Sequence, residues 1–238
     1  MKWARHSDGI KYFPRYNISF MSAPTLRSLA PLRRSLLPLD AVALARFLIG
    51  KTLVRHIRNA GRSHFLLARV VETEAYLPGD AAAHSFIGVT PRNRSLFLRR
   101  GHAYVYFCYG AHFMLNCSAD RPGTGAGVLF RAAEPLAGME LMSRHRRRYR
   151  GGDGGAATIG LTNIARGPGR LAQALRIDRS LDGVDFCARG PIWLTRALRP
   201  AGEIGVSVRI GITKDAHRPL RFFERGSEFV SGPRRLSV

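Results

Sequence analysis

The run Val71-Glu72-Thr73-Glu74-Ala75-Tyr76 sets two carboxylates and a phenol at alternate positions. On a strand, side chains alternate between faces, so Glu72, Glu74 and Tyr76 share one face. A carboxylate at the end of such a strand is a candidate general base toward water. The plainer reading is a pair of solvated acids on an edge strand. Only 16 Asp and Glu stand against 38 Lys and Arg in the chain, which makes two adjacent acids less of an accident. His84 follows on a loop, in Asp80-Ala-Ala-Ala-His84-Ser85, and no second His or Cys stands at ligand spacing, so no metal site is expected.

Thr90-Pro91-Arg92-Asn93-Arg94 is a turn with two guanidinium groups, suited to phosphates or simply a solvated Arg-rich loop. The segment from Tyr104 to Asn116 holds most of the aromatic chemistry. Tyr104 and Tyr106 share a strand face, and Tyr109-Gly110 sits where a hairpin would turn. An exposed ring there is a candidate wedge between bases, whereas Phe107 and Phe113 are expected to pack the core. Arg131 lies in an apolar run, Leu129-Phe130-Arg131-Ala132. A partly buried Arg needs an anion, and Glu74 is the candidate.

The formal charge is +22 over 238 residues, carried almost wholly by Arg. A chain this basic is expected to meet a polyanion, with nucleic acid ahead of an anionic membrane because no long basic amphipathic helix is visible. Three cysteines without a CxxC pair argue against a disulfide framework, a zinc ribbon or an iron–sulfur cluster, and are read as buried free thiols. No apolar run is long enough to span a membrane. Residues 1–22 are expected to be a disordered basic extension, with no signal-peptide core, and residues 23–238 a single domain. The expected location is the cytoplasm of a bacterium, at the nucleoid.

The elements that would position these residues follow from turns and periodicity. Asp40 is a good N-cap for a helix over 41–49 that Gly50 ends. Strands are expected at 51–57 and 65–76, then a Pro/Gly-rich loop over 77–94. A hairpin of 103–108 and 111–118 follows, then a strand at 128–132. Residues 134–148 read as a helix with a very basic end, 151–160 as a glycine-rich linker, and 168–175 as a short helix opened by Pro168. Further strands are expected at 192–194, 206–211 and 220–223. Many short strands and few helices point to a mixed α/β (α+β) domain with a mainly antiparallel sheet. No Walker loop, Ser/His/Asp elbow or helix-hairpin-helix signature occurs.

Glu72–Tyr76 (ETEAY), Ala82–Ser85 (AAHS), Thr90–Arg94 (TPRNR), the YVY and YG of 104–110, Asn116, Leu129–Leu136 (LFRAAEPL) and Gly167–Leu175 (GPGRLAQAL) occur in one order. In that order they resemble the alkyladenine type of 3-methyladenine DNA glycosylase, over roughly 43–230. The resemblance implies a curved antiparallel sheet or open barrel flanked by helices, with a protruding hairpin, no metal and no organic cofactor. It implies Glu74 as the base that activates water, with Arg131 helping to hold that water. Tyr76 and His84 would lie on one side of a flipped base and Tyr106 on the other. Asn116 would crowd the amino group of guanine, and a backbone group of Ile210 would lie near the base. Tyr109 would fill the hole left in the stack, and Arg92, Arg94 and Arg170 would meet phosphates. Ala111-His112 stands where the family has bulkier residues, and the run Arg144–Arg150 with the glycines after it reads as a mobile loop. The expected partner is double-stranded DNA with a damaged purine, alkylated first and deaminated or etheno as further candidates. The protein is expected to be a monomer that leaves an abasic site. The chain's Lys residues match none of these positions, so no strand-cleaving lyase chemistry is expected.

Two other readings stand beside this one. A metal-dependent nuclease could use Glu72, Glu74 and Asp80, and would stop in chelator. A non-catalytic nucleic-acid-binding module could use the same aromatic and Arg residues, and would be indifferent to loss of Glu74.

Overall fold

The computed structural model describes residues 29–59, 61–108, 110–148 and 159–237. Contacts divide the chain into Met1–Ala30 and a compact unit, Pro31–Val238, which holds every element below. The expected extension over 1–22, the hairpin residue Tyr109 and most of the expected linker lie outside the described residues.

The unit is built on one strand, β2 (Arg62–Tyr76). Its first half pairs with β1 (Thr52–Asn59), and its last residues pair with β8 (Arg221–Glu224). Along its other edge runs β5 (Ala126–Ala137), followed by β4 (His112–Ala119) and β3 (Ala103–Cys108). Two short strands complete the sheet, β6 (Ile192–Thr195) beside β1 and β7 (Ile204–Ser207) beside β8. Each of these pairings is antiparallel, and the sheet curls into a half-barrel flanked by three helices. This is the expected α/β class with its β3–β4 hairpin.

Helix α1 (Ala41–Leu48) is capped as the sequence predicts, since the Asp40 carboxylate accepts from the Ala43 N–H at 2.8 Å. Its Ala41, Leu44, Ala45 and Leu48 are buried against the sheet. Burying each Leu side chain contributes about 1.5–3 kcal/mol. Gly50, at φ 83°, releases the chain into β1. Helix α3 (Pro168–Ala174) lies so close to β4 that a Cβ on Gly169 would sit 2.5 Å from the His112 ring. No helix among the described residues is long and apolar enough to cross a membrane.

The β2–β5 ladder shifts register at three places, the first between Leu67 and Ala68, and the other two are β-bulges that change the phase of the strands beside the acids. Val70 pairs with Ala133 and Glu72 with Ala132, which leaves Val71 unmatched; Thr73 then pairs with Phe130, which leaves Arg131 unmatched. Before the bulge, Leu66, Ala68 and Val70 face the main core; after it Ala75 does, and the Thr73 hydroxyl donates to the Ala45 carbonyl of α1 at 3.0 Å. On β5 the same flip separates Val128 and Phe130 from Ala133. A bulge re-aims the side chains beyond it. Here it turns Glu72, Glu74 and Arg131 away from the apolar core, onto the other face of the sheet.

Four expectations are corrected. Residues 134–137 are strand, and helix α2 runs only over Met139–Arg148. Glu134 pairs in register with Arg69 and takes its guanidinium at 3.5 Å, so the ladder and a buried ion pair override helix propensity. The basic run is not loop as far as Arg148, because α2 packs on α3: Arg146 is buried and donates to Gln173, and His145 Nδ1 lies 2.9 Å from the Ala174 carbonyl. The strand expected at 206–211 ends at Ser207, because the Ile210 N–H is used by a side chain rather than a ladder. Of the three free thiols only Cys117 is buried, while Cys108 and Cys187 are half-buried.

Candidate active site

One row of paired residues crosses five strands: Tyr104 on β3, Asn116 on β4, Leu129 on β5, Glu74 on β2 and Arg221 on β8. Residues opposite one another in a ladder share a face. The curl of the sheet therefore gathers side chains that are far apart in sequence.

Glu74 is fully buried. Its Oε1 accepts from the Ile210 N–H at 2.8 Å and lies 3.1 Å from Arg131 Nη1. Its Oε2 accepts from the Tyr76 hydroxyl at 3.0 Å. Burial pushes the Glu74 carboxyl above its ordinary range, and the charge of Glu72 adds to this, while Arg131, the Ile210 N–H and Tyr76 pull less strongly the other way. Burial likewise pushes the Tyr76 phenol up, helped by Glu74, so Tyr76 stays a donor.

Glu72 plays a different part. Its Oε1 accepts from Arg131 Nε at 2.9 Å and Arg221 Nε at 2.6 Å, and its Oε2 accepts from the Ser231 N–H at 2.7 Å. Arg221 goes on to the Ser231 and Leu236 carbonyls at 2.9 and 2.7 Å. Glu72 thus ties the C-terminal segment to the sheet and orients Arg131, whose Nη1 also reaches the Ile210 carbonyl at 3.4 Å. Burial works against the Arg131 charge, but Glu74 and Glu72 outweigh it and hold the guanidinium charged. The pairing of Arg131 with Glu74 read from the sequence is present.

The aromatic residues gather at the end of β3. The His84 ring lies 4.3 Å from that of Tyr106, and its Nδ1 lies 2.8 Å from the Tyr104 hydroxyl. Burial and then Arg92 lower the pKa of His84, which keeps its ring neutral. Asn116 is buried and donates to the Tyr104 carbonyl at 3.1 Å. Arg92 and Arg94 are exposed, and Arg92 donates to the Phe107 carbonyl at 3.1 Å. Phe107 is itself exposed, against the expectation that it packs the core, whereas Phe113 packs there. Arg170 is exposed on α3 and bonds Asn163. A groove of about 1040 Å³ runs from Arg131 past Met114 and His112 to Arg166, Arg170 and Arg146.

Three positioning groups escaped the sequence reading. Arg209 is buried, with its guanidinium carbon 4.7 Å from the centre of the Tyr76 ring, and it holds Asp80. Arg221 anchors Glu72 as above. Asn93 is buried beneath the His84 loop rather than exposed beside its neighbouring arginines. The first two carry the signature already noticed at Arg131, an arginine in an apolar run, in Val208-Arg209-Ile210 and Leu220-Arg221-Phe222. Among the described residues, no group of three His, Cys, Asp or Glu is placed to hold a metal ion.

Comparison with known proteins puts the chain among the DNA glycosylases. It belongs to the methylpurine-DNA glycosylase (MPG) family, whose sequence model matches residues 35–228. It is 59% identical over 206 residues to a Mesorhizobium japonicum protein provisionally named a 3-methyladenine DNA glycosylase, covering 87% of this chain and 92% of that one. A Paraburkholderia phytofirmans protein with the same provisional name is 47% identical over 87% of this chain and 91% of its own. The human DNA-3-methyladenine glycosylase is 42% identical over 198 residues, 80% of this chain and 64% of its own.

Proposed function

We propose that this DNA glycosylase of methylated purines turns the damaged nucleotide out of duplex DNA and hydrolyses its bond to deoxyribose with Glu74 as general base. The observation that carries the reading is the setting of Glu74. A carboxylate has about four lone-pair positions; the Ile210 N–H takes one on Oε1, where Arg131 Nη1 also stands at 3.1 Å as an ion pair, and the Tyr76 hydroxyl takes one on Oε2, which leaves a position on Oε2 for a water. That water attacks C1′, its proton passes to Glu74, and the C1′–N bond breaks with its electron pair leaving on the purine. An N3- or N7-alkylated purine carries positive charge and departs as a neutral base, so little acid catalysis is needed. The carboxylate also stabilises the positive charge that develops on the sugar.

Base flipping costs a few kcal/mol, least for a damaged base. Restacking between Tyr76 with His84 on one side and Tyr106 on the other, once the His84 and Tyr106 rings, 4.3 Å apart between centres, part to admit the base, offsets that cost at about 1–3 kcal/mol per stacked base. A neutral His84 suits a cationic base better than an imidazolium would. Asn116 narrows the pocket against guanine, and Arg131 and the Ile210 backbone steady the water and the base. Tyr109 fills the vacated stack, while Arg92, Arg94 and Arg170 hold phosphates, with the groove beside Arg131 as a path for the backbone. The enzyme acts as a monomer at the nucleoid.

The acids that the metal-dependent reading would use are already held by guanidinium groups, Glu72 by Arg131 and Arg221, and Asp80 by Arg209. Single-turnover assays on duplexes with one methylated purine, hypoxanthine or ethenoadenine, in chelator, test the proposal. Base release without strand breaks, lost in Glu74→Gln while duplex binding persists, is the expected result. Release that is unchanged in Glu74→Gln removes Glu74 from the mechanism.

A further inference from the structure

The loop after His84 carries an unusual surface. Phe86, Ile87 and Val89 are 54%, 78% and 64% exposed. Contiguous apolar side chains held out in water mark an interaction site more often than an accident of folding. The loop is also built to hold them there. The buried Asn93 side chain accepts from the Thr90 N–H at 2.6 Å and donates to the His84 and Gly88 carbonyls at 2.8 and 2.9 Å. The Gly88 N–H closes a turn on the Ser85 carbonyl at 2.9 Å, and Gly88 itself takes φ 81°, which only glycine adopts without strain. Ile87 is therefore fixed at the tip of a braced turn.

The same contacts fix where the loop stands. His84 begins it and meets Tyr106. Arg92 ends it and binds the Phe107 carbonyl at the free end of the hairpin, where Phe107 is 46% exposed. Loop and hairpin form one rim beside the His84 and Tyr106 rings, with exposed Arg92 and Arg94 on its flank. A protein seated on Phe86 and Ile87 would cover those rings. Duplex DNA is the occupant that fits both the rings and the cations.

We infer that Phe86, Ile87 and Val89 form a second wedge, which enters the minor groove beside the flipped purine and packs against the bases flanking it. The inference rests on the reading of the site as one that extrudes a base. Extrusion unstacks the neighbours of the extruded base, and apolar side chains inserted between base steps take up that exposed surface. Two braced projections, the hairpin and this loop, would then share the work, and the loop residues would contribute to duplex recognition without touching the reacting atoms.

The test uses the full chain and a duplex with one tetrahydrofuran abasic analogue and 2-aminopurine next to it. Wild type raises the 2-aminopurine fluorescence on binding. The Phe86→Ser/Ile87→Ser variant is expected to bind this duplex about tenfold more weakly, the size of one lost stacking contact, with a smaller fluorescence rise. Its affinity for a single strand of the same length and its melting temperature should match wild type, as should all readings for Leu39→Ser, an exposed apolar change outside the loop. Unchanged duplex affinity and fluorescence in the loop variant, with wild type binding normally, overturns the wedge and leaves the glycosylase reading intact. Wild type that neither binds the duplex nor releases a base overturns the underlying reading instead. Sedimentation that shows a wild-type dimer split by Ile87→Ser also overturns the wedge, because a second copy would then be the occupant.

Discussion

The guanidinium carbon of Arg209 lies 4.7 Å from the centre of the Tyr76 ring, and the same group holds the buried carboxylate of Asp80. It also reaches the Ala75 and Asp215 carbonyls at 3.1 and 3.3 Å. One cation thus braces an aromatic wall, the loop that leads to His84, and the segment that presents Ile210. Arg209→Gln leaves the buried Asp80 with only the Ala82 N–H at 3.0 Å and Arg218 at 3.9 Å, and should cost about 3 kcal/mol, the low end for a broken buried pair. The double variant with Asp80→Asn should recover much of this loss, as read in a urea-unfolding double-mutant cycle. Burial acts to raise the Asp80 carboxyl, but Arg209 overcomes it and holds the carboxyl below its usual range. The stabilisation it gives is therefore present at neutral pH and lost as pH falls through the lowered value, so wild type and Asp80→Asn should converge in acid.

Glu74 has the opposite sign. Its raised pKa means that the folded protein favours the protonated carboxyl, so ionisation at neutral pH costs stability. Glu74→Gln resembles the protonated form. It should unfold at or above the wild-type temperature at neutral pH, with the margin closing at pH values below the ordinary carboxylate range. Its single-turnover rate should fall by about 10²–10⁴-fold, the usual weight of a general base. A variant that is both inactive and markedly less stable would argue for a purely structural Glu74.

Arg131 opposes the rise in the Glu74 pKa. Arg131→Gln should shift the acid limb of the kcat/KM profile to higher pH, because burial then acts with less opposition. The fold should survive, since Glu72 keeps Arg221 at 2.6 Å and the Ser231 N–H at 2.7 Å. A profile recorded on a methylated-purine duplex reads the shift directly.

Asn116 sits in register between Tyr104 and Leu129, one strand beyond Leu129 from Glu74. Shortening it to Ala opens the floor of the pocket at the position proposed to crowd guanine. Release of undamaged guanine from ordinary duplex should rise by about tenfold or more, the scale of steric discrimination in a pocket. Chromatography of the freed bases measures it. An unchanged guanine yield would move the discrimination elsewhere.

Much of this site was legible in the sequence because it lies on regular strands. Alternation alone put Glu72, Glu74 and Tyr76 on one face, and a lone Arg in an apolar run announced a buried ion pair. The rest depends on long-range pairing. Nothing local to Glu134 says strand rather than helix; its partner Arg69 decides, 65 residues earlier. Arg209 and Ile210 read as strand because their neighbours are apolar, yet the side chain and N–H are directed to Asp80 and Glu74, each more than 120 residues away. Phe107 read as core because it is aromatic, and only the hairpin geometry shows it at a free edge.

The two bulges have a consequence for how this chain can change. They act as a phase joint, where one stretch of β2 and β5 answers to the apolar core and the next answers to the polar face. Each stretch can vary in composition without inverting the other, as long as the joint itself survives. A one-to-one ladder that kept the alternation of Leu66, Ala68 and Val70 through every later residue would point both Glu72 and Glu74 into the core. What the central strands must preserve here is a count of residues as much as their kind, so insertions and deletions are the changes to which this catalyst is most exposed.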